Sequence, residues 1–159
     1  METKFLKPKL YDISQGSRIA YVRQLRSLSR KDLAERLNIK GEAPAKSIIR
    51  YETGKRTPTD YRVDELSSIL NVSSEALKKY SMESTTDLIY YLIWMDELFP
   101  GFNINLGKAE KGVDFDQFAL DKFFEEIADM RLKLKQGYIN SKEYLEWKLN
   151  YKIKKCDII

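Results

Sequence analysis

Large apolar side chains in the first half of the chain recur in short helical bursts separated by turn residues. Ile19 and Val22 open a 3.6-period stretch after Gly16-Ser17 that is expected to close near Leu28. Ser29 followed by Asp32 has the form of a helix N-cap with an acidic partner at N3, which predicts a second helix from Arg30 to Leu37. A polar stretch from Asn38 to Ala43 reads as a turn. Pro44 then suits the first turn of a third helix, where its missing N–H is not needed, and that helix is expected over about 44–52. Gly54 stops it and Pro58 blocks an immediate restart. Val63, Leu66, Ile69 and Leu70 form the stripe of a fourth helix, and Ser73 or Ser74 caps a fifth that is expected to run to about Tyr80.

The rear half has a different texture. SMESTT at 81–86 lacks large apolar residues apart from Met82 and marks a linker. Asp87 to Phe99 is strongly apolar and ends at Pro100-Gly101. Residues 102–115 alternate enough, with Gly107 and Gly112, to form a short β-hairpin or an irregular loop. Leu120, Phe123, Phe124, Ile127, Met130 and Leu134 lie on one face of a long helix ended by Gly137. Asn140 with Glu143 predicts the start of a last helix carrying Tyr144, Trp147 and Tyr151 on one side. The expected architecture is mainly α. A 1–15 N-terminal arm precedes a five-helix unit at 16–80, then come the 81–86 linker and a small helical domain at 87–159.

Charge sharpens this division. Residues 1–80 carry 17 Lys+Arg against 10 Asp+Glu, or +7, whereas residues 81–159 carry 11 against 14, or −3. A basic front half and an acidic rear half suggest that only the first meets a polyanion. The 159 residues contain no histidine, which removes the commonest general base and most transition-metal sites. No catalytic residue, metal site or cofactor is expected, and the carboxylates around Asp121 to Asp129 read as the solvated side of a helix. The lone Cys156 cannot form an internal disulfide. The longest apolar run, Leu88 to Met95, is far shorter than the roughly 18 residues of a membrane span. The amino terminus lacks a signal-peptide core, so a cytoplasmic address is expected.

The spacings in the front half are specific. Arg18-Ile19-x-x-Val22-Arg23 precedes Leu28-Ser29-x-x-x-Leu33-Ala34-x-x-Leu37-x-Ile39. Ile48-x-Arg50-Tyr51-Glu52-x-Gly54-x-Arg56-x-Pro58 follows, and then Val63, Leu66, Leu70 and Val72-Ser73. Together they resemble the xenobiotic-response-element family, the Cro/repressor-type helix-turn-helix family of bacterial and phage DNA-binding regulators. The likeness covers about 16–80.

It implies a shared core of Ile19, Val22, Leu33, Ala34, Leu37, Ile48, Tyr51 and Leu66, with Ala34 as the small residue between the second and third helices. It also makes the third helix the recognition helix, with Pro44, Ala45, Lys46, Ile49 and Arg50 toward the major groove. Lys46 and Arg50 would donate to guanine or phosphate, and Ala45 and Ile49 would touch thymine methyls. Arg30, Lys31, Lys55, Arg56 and Arg18 become phosphate-contacting candidates, with Arg23 in a lower rank or in an ion pair.

One departure from the family pattern is the connection between Ile39 and Ile48, about four residues longer than usual. It is either a lengthened turn or an extended start to the recognition helix. The rear half is similar to a tail on some family members that ends in a sequence such as GYINSKEYLEWKLNY. Its aromatics read as a domain core, as a dimer or partner interface, or as both. The resemblance implies a DNA-binding transcriptional regulator, a repressor acting as a homodimer on double-stranded DNA. The alternative is a protein-binding adaptor, antitoxin-like or a phage inhibitor, whose partner engages residues 87–159.

Overall fold

The computed structural model describes residues 7–99 and 117–154. Eight helices are present among them and no strand. The segment expected as a hairpin, 102–115, lies outside the described residues, as do Cys156 and the start of the N-terminal arm. The chain divides into two compact units, Met1–Lys79 and Tyr80–Ile159.

The first unit holds α1 (Gln15–Leu25), α2 (Arg30–Arg36), α3 (Ala45–Glu52), α4 (Asp60–Leu70) and α5 (Ser74–Leu77). Local signals start these helices. Ser14, Ser29, Thr59 and Ser73 each accept a hydrogen bond from a first-turn backbone N–H, and Ser29 and Asp32 complete a reciprocal capping box. Ile19, Val22, Leu33, Ala34, Leu37, Ile48, Tyr51 and Leu66 are all buried. α3 packs on both α1 and α2, and α5 on α1 and α4.

Two helices are shorter than their periodicity predicts. α1 stops at Leu25 rather than near Leu28, because Ser27 takes a left-handed φ of 54° and the Leu28 N–H turns back to the Arg23 carbonyl at 3.1 Å. α5 stops at Leu77 rather than near Tyr80. The carbonyls that a longer helix would use are taken by side chains of α1: Leu77 O by Gln15 Nε2 at 3.0 Å, Ala76 O by Arg18, and Lys78 O by Arg18 at 2.7 Å.

The second unit holds α6 (Thr85–Leu98), α7 (Gln117–Gln136) and α8 (Ser141–Leu149), with α7 packed on the other two. Ser84 caps α6, and Asn140 and Glu143 form the capping box of α8. Ile89, Tyr90, Ile93, Trp94, Phe123, Ile127, Leu145 and Leu149 fill the interior. Tyr151 lies past the end of α8 rather than on it. It is nonetheless buried, with ring centroids 5.3 Å from those of both Phe123 and Trp147.

The acids of α6 turn inward. Asp87 accepts the N–H and hydroxyl of Ser81 at 2.8 and 3.0 Å. Asp96 accepts from Arg131, from the Tyr144 hydroxyl at 2.9 Å and from Lys148 at 3.2 Å, and Lys148 also donates to Glu97 at 2.6 Å. Burial would raise the Asp96 carboxyl, but Lys148, Arg131 and Tyr144 outweigh it and hold the group below its ordinary value. Burial, with Asp96 beside it, pushes the Tyr144 hydroxyl up. Among the described residues no helix is long and apolar enough to cross a membrane.

Candidate nucleic-acid interface

The eight residues of α3 separate cleanly by helical spacing. Ile48 and Tyr51 are buried, and the Glu52 side chain is only 3% exposed. Lys46, Ile49 and Arg50 are exposed at i, i+3 and i+4, and the C-cap Thr53 extends this outward stripe at i+7, with Ala45 half-buried at its edge. Ile49, at 39% exposed, is an apolar residue in water between two cations. Among the described residues no carboxylate pairs with Lys46, Arg50 or Lys55.

The long connection before α3 is a lengthened turn, not an extended helix. Asn38 takes a left-handed φ of 52° and its N–H bonds the Glu35 carbonyl at 2.9 Å, closing α2. Residues 40–43 are exposed, and Pro44 precedes the first helical residue, Ala45. Lys46 and Ser47 donate their N–H groups to Ala43 and Pro44 at 3.0 and 3.1 Å. The extra residues therefore add to the loop and leave α3 short.

The far end of α3 is held more tightly. A Cβ on Gly16 would lie 2.4 Å from the Glu52 carbonyl oxygen and 2.6 Å from that of Tyr51. Only glycine lets the start of α1 approach the α3 backbone this closely. Beyond Glu52, Gly54 takes a left-handed φ of 69° and the Arg56 N–H returns to the Arg50 carbonyl at 3.0 Å. This fold-back places the Arg56 guanidinium over the Tyr51 ring, 5.9 Å from its centroid. Pro58 is buried, and Thr59 then caps α4.

The remaining cations are used unequally. Arg18, 1% exposed, cannot serve as a phosphate contact. Its guanidinium donates to the carbonyls of Ile13, Ala76 and Lys78, where the end of α5 presents partial negative charge. Arg23 is also buried and pairs with Glu52 at 2.5 Å. Arg30 pairs with the same carboxylate at 2.7 Å but is 47% exposed. Lys31 is exposed, with only a loose pair to Glu35 at 3.8 Å.

Three features escaped the sequence reading. Thr53 continues the outward stripe, although its hydroxyl is bound to the Ile49 carbonyl at 2.7 Å. Arg26 and Arg62 bind helix-end carbonyls, Arg26 at Leu70 and Asn71 (2.7 and 3.0 Å) and Arg62 at Leu37 (3.2 Å). Glu52 is an ion-pair hub rather than a plain helix end. Its position four residues after Ile48 was the available signal, because a carboxylate on a core-facing stripe must be paired.

The helix-turn-helix family matches this chain over residues 19–77, in agreement with the likeness carried by the motif spacing. Compared with curated proteins and with solved structures, the chain matches none.

Proposed function

We propose, on the premise of the helix-turn-helix match over residues 19–77, that the protein is a DNA-binding regulator of the Cro/repressor type and acts as a sequence-specific transcriptional repressor. The observation that carries this reading is the outward stripe Lys46, Ile49, Arg50 and Thr53, exposed and without acidic partners on a helix whose other side is fixed in the core. A rigid helix with two cations and three apolar contacts suits the major groove. Lys46 and Arg50 donate to guanine O6 and N7 or to phosphate, and Ala45, Ile49 and the Thr53 methyl meet thymine methyls.

Phosphates are held by Lys55, Arg56, Arg30 and Lys31, which gives affinity that falls with salt. So short a reading face distinguishes few base pairs, and a homodimer on two half-sites supplies the missing specificity. The reading places the protein in the cytoplasm, where it represses by occupying a promoter. It involves no cofactor and no reaction.

The test is selection of binding sites from a random duplex library with the purified chain, followed by salt titration of the best site. A two-fold symmetric site supports a dimeric regulator. Arg50→Ala and Lys46→Ala are each expected to cost about 1–3 kcal/mol at particular base pairs if they read bases, and to weaken all sequences evenly if they bind phosphate. No site above background would replace this reading with a protein partner for residues 87–159.

A further inference from the structure

We infer that Glu52 is a positioning residue for DNA-backbone binding, holding Arg30 so that the outer edge of its guanidinium receives a phosphate. The inference rests on the DNA-binding reading above. Glu52 sits at the inward end of α3, where an unpaired carboxylate would be strongly disfavoured. Two guanidinium groups meet it. Arg23, from α1, donates Nε to Oε1 at 2.5 Å and Nη2 to Oε2 at 3.3 Å, and its Nη1 goes to the Leu28 carbonyl at 2.7 Å. Arg30, the first residue of α2, donates Nε to Oε2 at 2.7 Å.

Arg23 is buried and spends its guanidinium on Glu52 and the Leu28 carbonyl, so of the two cations on this carboxylate only Arg30 reaches solvent. Among the described residues Nη1 and Nη2 of Arg30 have no hydrogen-bond partner. A guanidinium anchored through Nε has its plane fixed, and its two Nη groups then face outward as a fork that matches two phosphate oxygens. The neighbouring carboxylates are otherwise engaged. Asp32 accepts the Ser29 N–H at 2.8 Å in the capping box, and Glu35 faces Lys31. The chemistry that completes the site is a phosphodiester of duplex DNA.

This role and a plain charge effect predict opposite signs. If Glu52 were only a negative charge near a polyanion, removing it would tighten binding. If it positions Arg30, removing it weakens binding although the net charge rises. The test measures affinity of the full chain for a fluorescent duplex of mixed sequence over a range of salt, using Arg30→Ala, Glu52→Gln, the double variant and Arg23→Met. Arg30→Ala is expected to reduce the slope of log affinity against log salt by about one, and Glu52→Gln by a similar amount. The double variant falls no further than Arg30→Ala alone. Arg23→Met lowers the melting temperature and keeps the wild-type slope.

Arg30→Lys serves if Glu52→Gln does not fold. Its single ammonium is taken by Glu52, so its slope is expected to match that of Arg30→Ala, and a wild-type slope would overturn the proposal. Tighter binding by Glu52→Gln at an unchanged slope would overturn it as well. So would an equal loss of slope in Arg23→Met, which would mean that Glu52 acts through helix packing. A wild-type chain with no salt-dependent DNA binding would bring down the DNA reading itself, and the proposal with it.

Discussion

The two units bury charge by different means. In the first, Arg23 pairs with Glu52 and Arg62 with Glu65, but Arg18, Arg26 and Arg62 also bind backbone carbonyls at or just past the ends of α5, α4 and α2. Helix-end carbonyls carry only partial negative charge, so they hold a cation by hydrogen bonds without the neutralisation that a carboxylate gives. In the second, Lys148 and Arg131 meet Asp96 and Glu97, and the charges cancel. The first unit therefore keeps a positive field without directing most of its arginines at a ligand. Net charge indicates which unit attracts a polyanion, whereas hydrogen bonding decides which side chains are available to touch it.

The strongest challenge to this contrast is Lys148→Met, which removes the buried cation shared by Asp96 and Glu97 and is expected to cost about 3–5 kcal/mol. Both tryptophans, Trp94 and Trp147, lie in that unit. Denaturation followed by tryptophan fluorescence should therefore show the full loss. Gly16→Ala is the counterpart in the first unit. Its methyl meets backbone oxygen rather than a flexible side chain, so about 3 kcal/mol is expected. That loss should appear in helical circular dichroism and leave the tryptophan transition in place.

Arg18→Met comes next, with about 2 kcal/mol expected from the stranded carbonyls. The slope of DNA affinity with salt should not change, and a reduced slope would return Arg18 to the phosphate contacts.

Acid and alkali separate the units more gently. The Asp96 carboxyl is held below its ordinary value of 3.8 in the folded protein. Its stabilising contribution is therefore present above that value and is lost as pH falls through the lower folded one. The Tyr144 hydroxyl is raised above its ordinary value of 10.0. Its contribution is complete below that value and declines as pH rises past it. Tryptophan fluorescence against pH should show a plateau bounded by these two limits. The smallest effect on stability is expected from Lys55→Ala with Arg56→Ala, within about 0.5 kcal/mol at exposed positions. The same pair should reduce the salt slope of DNA binding by up to about two.

Most of the helices were legible because they are specified locally. Capping pairs such as Ser29 with Asp32 and Asn140 with Glu143, and stripes such as Val63, Leu66 and Leu70, act within one or two turns of chain. The helix ends read less well where distant residues intervene. α5 is cut short by Gln15 and Arg18, about sixty residues away in sequence, which periodicity within α5 cannot reveal. In the candidate interface, the exposure of Lys46, Ile49 and Arg50 followed from counting back from Tyr51. The inward use of Arg18 did not, since one arginine looks like another until the carbonyls around it are known.

Spacing and composition alone were enough to show where helices begin, which faces are apolar, that the front unit is basic and that about 16–80 carries a helix-turn-helix pattern. These are short-range properties of spacing and composition. Packing between helices, in contrast, is what requires Gly16 to lack a side chain, joins Glu52 to Arg23 and Arg30, and makes Arg18 internal while Lys55 is not. Each of those depends on groups brought together across helices, where burial makes every polar atom find a partner and the geometry of packing chooses which one it is.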